Sequence, residues 1–177
     1  MNRRLALPVI ACSALLLLLF AATAVADADP DRGQTTPLLI DRGAETPEGA
    51  RAAGIELPGE AGIEEAEKIT EALAQRTGRT VYLTLGEKGI AVRDGERFTH
   101  VPGYEIAGPV DIVGAGDSTT AGIVPALCAG ASPEEAALFG NLAASITVQQ
   151  IGVTGTATPD QMRERFAEYQ ERYRGIT

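Results

Sequence analysis

The stretch "VDIVGAGDSTTAGIVPALCAG", Val110 to Gly130, sets Gly114 and Gly116 around Ala115, adds Asp117, and runs directly into a long series of small and apolar residues. Glycine is a poor helix former and leaves the backbone bare. A helix opened this way presents N–H groups at the positive end of its dipole, where they can cradle the oxygens of a phosphoryl group. Asp117 admits two readings. A carboxylate in the first turn is ordinarily a cap. Beside a bound phosphate it makes chemical sense if its partner is instead a hydroxyl group, whose proton it takes as the oxygen attacks phosphorus. On this turn alone both readings stay open.

Two other glycine motifs compete with this one. "GAGDST" approaches the dinucleotide fingerprint, but Thr119 stands where the third glycine belongs and no short strand–helix–strand unit ending in an acid follows, which argues against hydride transfer. The pattern G-x-x-x-x-G-K-[ST] does not occur, which removes a P-loop nucleotidase.

The 177-residue chain has room for one ordinary domain, and its 45% hydrophobic and 22% charged content is that of a globular protein. Fifteen Lys and Arg against 24 Asp and Glu give a formal charge of -9. With no basic run to neutralise a phosphate backbone, nucleic-acid binding is not expected. An acidic protein that handles anions must do so locally, through helix N-termini, glycine turns and bound cations.

Residues 1–26 resemble a secretory signal peptide: Arg3 and Arg4 precede an apolar run from Leu5 to Ala22, and Ala24-Val25-Ala26 is a small-x-small cleavage pattern. A permanent membrane anchor is the alternative, weakened by Pro8 and by the lack of a second positive flank. "VIAC" at Cys12 falls too early in the apolar run for a lipid-attachment box. Removal of the leader leaves 13 basic against 24 acidic residues, a charge of -11, and Cys128 as the remaining cysteine, expected to be a buried helix thiol. Residues 27–36, "DADPDRGQTT", read as a linker, and order is expected from Pro37 to Thr177.

"PLLID" (37–41) has the length of a strand, and "TPEGARAAGI" (46–55) reads as a short helix with proline in its first turn. "GIEEAEKITEALAQRTG" places Ile63, Ala66, Ile69, Ala72 and Leu73 on one helical face and stops at Gly78; its acidic "EEAEK" run is a solvated face. "TVYLTLG" (80–86) has the pattern of a strand buried on both faces. "GIAVRDGERFTHV" (89–101) predicts a hairpin turning at Asp94-Gly95. A helix follows from about Asp117 to Ala129. Ser132-Pro133-Glu134-Glu135 and Thr158-Pro159-Asp160-Gln161 are capping boxes that open two more helices, the last with Met162, Phe166 and Tyr169 on one face. The pattern is that of a layered α/β domain. His100 is expected at the surface, and Tyr104, Phe139, Phe166 and Tyr169 in packing.

At these residues the chain resembles the PfkB or ribokinase-like carbohydrate kinases. Their signature, approximately D-T-x-G-A-G-D before a small-residue helix, is matched at Asp111, Gly114, Ala115, Gly116 and Asp117. "TLGEKG" (Thr84 to Gly89) is similar to the family's nucleotide-side strand and turn. "SPEEAALFGNLAASITVQQIG" is similar to its late helix, with Asn141 at the adenine-pocket asparagine, and Glu48 is similar to the glutamate of its N-x-x-E motif. The resemblance runs over roughly residues 38–173 and implies the C-terminal portion of a three-layer α/β/α ribokinase-like fold.

Carried over residue by residue, the resemblance implies ATP-dependent phosphorylation of a sugar or sugar-phosphate hydroxyl with Asp117 as general base. The N–H groups of Gly114, Ala115 and Gly116 would form an anion hole. Thr84, Leu85, Gly86, Lys88, Gly89 and Asn141 would line the nucleotide. Glu48 would act on Mg2+ through water, and Asp111, Val113, Thr147, Gln150, Gly152 and Thr156 would surround a monovalent cation such as K+. Ile112 replaces the signature threonine, and Glu45 stands where N-x-x-E has asparagine. The first half implied by the family, with its early strands, sugar-recognising glycines and lid, is missing. "VGAGD" and "GVTGTATPDQM" are faintly similar to the heptose-phosphate kinase branch.

Three hypotheses follow: the nucleotide-binding half of a sugar kinase, an exported noncatalytic binding or interaction domain, or a leader and kinase half joined by a broken gene or misplaced start. The leader implies export and the ATP chemistry implies the cytoplasm. Loss of the early strands implies an uncovered sheet edge, and so self-association or a partner.

Overall fold

The computed structural model describes the backbone of residues 39–41 and residues 62–173. The leader, the linker, the expected helix at 46–55, and Glu45 and Glu48 lie outside the described residues.

Strand β1 (Leu39–Asp41) leads the described part, followed by helix α1 (Ile63–Thr77), β2 (Val81–Thr84), a short 3-10 turn at Gly86–Lys88, β3 (Ile90–Asp94), β4 (Arg97–Val101), and helices α2 (Ala115–Cys128), α3 (Pro133–Thr147) and α4 (Pro159–Arg172). The sheet order is β1-β2-β3-β4, with β1 parallel to β2 and the other pairs antiparallel.

Helix α1 stops at Gly78, whose φ of 65° lets its N–H turn back to Ala74 O at 2.7 Å. Ala66 and Ile69 are fully buried with Leu73 beside them, but Ile63, expected on that face, is 44% exposed. It lies a turn ahead of Ala66, before the packed stretch begins. Thr70 is buried in addition, its hydroxyl satisfied by Ala66 O at 2.8 Å.

Alternation along the strands divides the core. Tyr82, Ile90, Val92 and Val101 face α2, α3 and α4, whereas Leu83 and Ala91 face α1. Helices on both faces of a sheet make three layers, as the sequence predicts. The hairpin turn differs by one residue. Asp94 pairs with Arg97, so the loop is Gly95-Glu96, and Asp94 stays in the strand with its Oδ1 accepting from Thr80 Oγ1 at 2.7 Å. Gly95 supplies a positive φ of 57° within the loop.

Helices α2 and α3 form an antiparallel hairpin joined at Gly130 and Ser132. Their backbones meet at two glycines: a Cβ on Gly122 would lie 2.9 Å from Gly140 Cα, and one on Gly140 would lie 3.0 Å from Thr119 O. Both capping boxes form, with Ser132 and Thr158 accepting from Glu135 N and Gln161 N. Met162 and Phe166 are buried and Tyr169 is packed beside them. Cys128, expected to be buried, is exposed: the packed stripe of α2 runs through Thr119, Ile123 and Ala126, which leaves the last residue facing solvent.

The register also orients the sheet. Asp41, Thr84, Ile90 and Val101 lie at one end. Helix α3 runs toward that end, since Glu134 accepts from Thr99 at 3.3 Å and Asn141, two turns on, reaches Val101 O. Its C-terminus and the N-terminus of its antiparallel partner α2 therefore share the end at which the two parallel strands finish. Ligand sites of open α/β sheets lie at that end.

Candidate functional site

Gly114 is the cap residue of α2, with φ 81° and ψ 0°, a left-handed conformation that a side chain would strain. As a glycine, it brings no side-chain cap of its own to the helix. Ala115 N–H donates to Ile112 O at 3.1 Å and Ser118 N–H to Gly114 O at 3.0 Å. Of the three expected cradle amides, Ala115 is thus engaged in the turn, while Gly116 N–H falls in the first turn, where the helical ladder offers no carbonyl. Among the described residues a Cβ on Gly114 would meet nothing within 4 Å, and Asp117 is exposed, so none of them closes the helix mouth over Gly114.

Asp111 shapes the approach to this mouth. Its Oδ1 accepts from Val113 N at 3.1 Å, its Oδ2 accepts from Gly152 N at 3.1 Å, and its own N–H donates to Val148 O at 2.8 Å. The Gly152 hydrogen bond, then that of Val113, holds the carboxyl below the usual carboxylate range. The loop after α3 is closed in turn by Gln150, whose Nε2 donates to Thr156 O at 2.7 Å and whose Oε1 accepts from Thr156 N at 3.1 Å. Thr147 packs under this loop, where a Cβ on Gly155 would crowd its carbonyl oxygen at 2.7 Å. The six residues expected around a cation, Asp111, Val113, Thr147, Gln150, Gly152 and Thr156, are therefore one connected assembly.

A second assembly gathers the residues expected around a nucleotide. Thr84 ends β2, Leu85 N donates to Gly89 O at 2.8 Å, and Gly86 and Lys88 bound the exposed 3-10 turn. Gly89, at φ 99°, lies so close to β4 that a Cβ would overlap the Val101 carbonyl oxygen, and one on Gly103 would overlap Glu87 O. Gly103 N–H donates to Lys88 O at 3.3 Å, and the His100 ring also lies against that carbonyl, with Nε2 at 2.7 Å. Asn141, buried in α3, donates from Nδ2 to Val101 O at 3.1 Å and Pro102 O at 3.0 Å.

The irregular segment from Pro102 to Gly114 links the two assemblies. It is strapped to α4: the guanidinium carbons of Arg165 and Arg172 lie over the Tyr104 ring, 4.6 and 4.7 Å from its centroid, and the Tyr104 hydroxyl donates to Glu168 at 3.1 Å. On the two segments that Asp111 joins, five apolar side chains are exposed: Val110, Ile112, Val113, Ile151 and Val153. Tyr104 packs against the core as expected, its contacts to α4 being visible only in the fold, and sequence reasoning missed the role of Gly103. The only signal for Gly103 is a glycine two residues past a strand end, and pairing with Gly89 is visible only in three dimensions. Among the described residues, no group of three or more His, Cys, Asp and Glu side chains is arranged to hold a metal.

A family profile described as pfkB family carbohydrate kinase matches residues 44–161, which include both assemblies. The chain belongs to this family. Its relatives include the ribokinase of Bacillus subtilis, 36% identical over 87 residues that make up 49% of this chain and 29% of the relative. The inositol 3-kinase of Arabidopsis thaliana is 43% identical over 72 residues, 41% of this chain and 20% of that one. Among solved structures, the ribokinase of Arabidopsis thaliana complexed with ribose and ATP superposes with a TM-score of 0.59 at 27% identity, covering 72% of this chain and 40% of the ribokinase. The fold is thus ribokinase-like and partial: the pfkB chain spans under a third of the length of the two kinases matched by sequence.

Proposed function

We propose that this pfkB chain carries the phosphoryl-transfer end of an ATP-dependent carbohydrate kinase site. The observation that carries the reading is the mouth of α2, with left-handed Gly114 and exposed Asp117 at the end where the parallel strands finish. The N–H groups around Gly116 stabilise negative charge on the transferred phosphoryl oxygens. Asp117 accepts the proton of the acceptor hydroxyl, a sugar or sugar phosphate. The Thr84–Gly89 turn lines the nucleotide. The kinship with ribokinase and inositol 3-kinase supports a polyol or sugar as the acceptor class.

Mg2+ would enter with the ATP phosphates, needing few protein ligands. Glu48, the residue proposed to act on it through water, lies outside the described residues. The Asp111 assembly offers oxygen donors, the chemistry that suits a hard cation such as K+; Asp111, Gln150 and the carbonyls of Val113, Thr147, Gly152 and Thr156 would hold it. The cation would add positive charge behind the mouth.

A second reading is a noncatalytic nucleotide-binding domain, favoured by the share of the relatives' length that this chain spans. Phosphoryl transfer depends on positioning both reactants. The chain with ATP, Mg2+ and a panel of sugars separates the two: transfer abolished by Asp117→Ala with ATP affinity retained supports the kinase, and nucleotide binding with no transfer under any condition supports the second reading. Self-association, or a partner, at an exposed sheet edge belongs to the same proposal. Sedimentation as a concentration-independent monomer would contradict it.

A further inference from the structure

Asn141 presents a buried carboxamide from the middle of α3, and its nitrogen donates to two successive carbonyls, Val101 O and Pro102 O. A carboxamide nitrogen carries two hydrogens, so both donors are committed. The accepting carbonyls lie where the β4 ladder ends: Val101 is the last residue paired with β3, opposite Ile90, and Pro102 O lies just beyond the ladder, where a backbone oxygen needs a donor from elsewhere. Val101 O is also the atom that a Cβ on Gly89 would overlap, and Gly103, two residues on, donates to Lys88 O. Helix α3, the exit of β4 and the Gly86–Lys88 turn therefore meet at one junction, with Asn141 as its cross-link.

We infer that Asn141 is a positioning residue: it locks the exit of β4, seats the Thr84–Gly89 turn through Gly89 and Gly103, and does not discriminate the nucleotide base. This departs from the base-pocket role that the family resemblance implies for the position. An apolar residue of the same size would take a donor from both carbonyls and deprive Pro102 O, beyond the ladder, of its side-chain donor. Aspartate keeps the shape but at neutral pH turns a carboxylate toward two carbonyl oxygens; protonation in acid restores a single donor.

The test has two arms, and only the second rests on the nucleotide-binding reading. In the first, amide exchange of the full chain without nucleotide is followed at Gly103 and Gly89. Asn141→Asp is expected to lower the Gly103 protection factor by about tenfold at neutral pH and to regain part of it in acid, while the wild-type factor stays flat. A neutral-pH factor within about twofold of wild type overturns the inference. Should the variant not fold, the side-chain amide protons of wild-type Asn141 decide: slow exchange supports the cross-link, and exchange at the free rate overturns it. In the second arm, affinities for ATP and for its 6-oxo counterpart inosine triphosphate are compared in Asn141→Ser and wild type. Both should weaken together with their ratio unchanged; a ratio shifted by more than about threefold overturns the inference by showing that Asn141 reads the base. If wild type binds neither nucleotide, the proposed function fails while the exchange arm still decides the role of Asn141.

Discussion

The carboxylate of Asp111 and the backbone N–H of Gly152 meet at 3.1 Å, joining the segment that opens α2 to the loop that closes α3. With Val113 N on the other oxygen, a single side chain fixes the geometry on both sides of the helix mouth. Asp111→Asn retains one carbonyl oxygen and introduces an NH2 group that faces a donor, so exchange at Val113 and Gly152 should quicken and nucleotide affinity should fall, while the remote amides of α1 keep their protection. The pH sense follows from the depressed Asp111 pKa. A depressed carboxyl contributes above its unfolded value of about 3.9 and loses that contribution as pH falls through the lower folded value. Gly152 protection should therefore be flat from neutral pH down to the ordinary carboxylate range and collapse only below it.

The close approach of α2 and α3 at Gly122 and Gly140 sets a second expectation. A Cβ on Gly122 would press on Gly140 Cα and on Phe139 O at 3.1 Å, both backbone atoms that cannot rotate away. Alanine is the better helix former, yet the overlap should dominate, and Gly122→Ala should cost about 1–3 kcal/mol in urea unfolding. A variant as stable as wild type would show that the helices separate without penalty.

Tyr82 yields a prediction of the opposite sign. Its ring is fully buried and its hydroxyl has no hydrogen-bond partner among the described residues. Burial first, and the charges of Asp94 and Glu134 second, push its pKa far above the usual tyrosine value. Tyr82→Phe removes the orphaned hydroxyl and should leave stability unchanged or raise it by up to about 1 kcal/mol. A raised folded pKa means that the neutral hydroxyl contributes fully below the unfolded value of about 10 and that stability falls as pH climbs beyond it. The phenylalanine variant should lose less stability in alkali, as thermal melts across that range would show.

The layered fold is legible in the sequence because its signals are local. Ser132 with Glu135, Thr158 with Gln161, the unbroken run of β2 and the glycine stop at Gly78 each act within a few residues. The hairpin shifts by one residue because Thr80, just ahead of the neighbouring strand β2, holds Asp94 in the ladder. The burial of Cys128 fails for a related reason: the face that α2 buries is chosen by the glycine contact with α3. At the candidate site, the residues of the Asp111 assembly are nameable from the family resemblance, but the use of the Asn141 donors and the fit of Gly89 against Gly103 depend on three segments far apart in the chain.

The central claim is that the mouth of α2 grips the terminal phosphoryl group of a nucleotide while Asp117 serves the acceptor. Amide NMR of the chain titrated with ATP and Mg2+, in wild type and Asp117→Ala, tests it most directly. The account predicts that the largest shifts fall on Gly114, Ala115 and Gly116, and that the variant binds ATP within about threefold of wild type. Saturating ATP that leaves those three amides unmoved would contradict it.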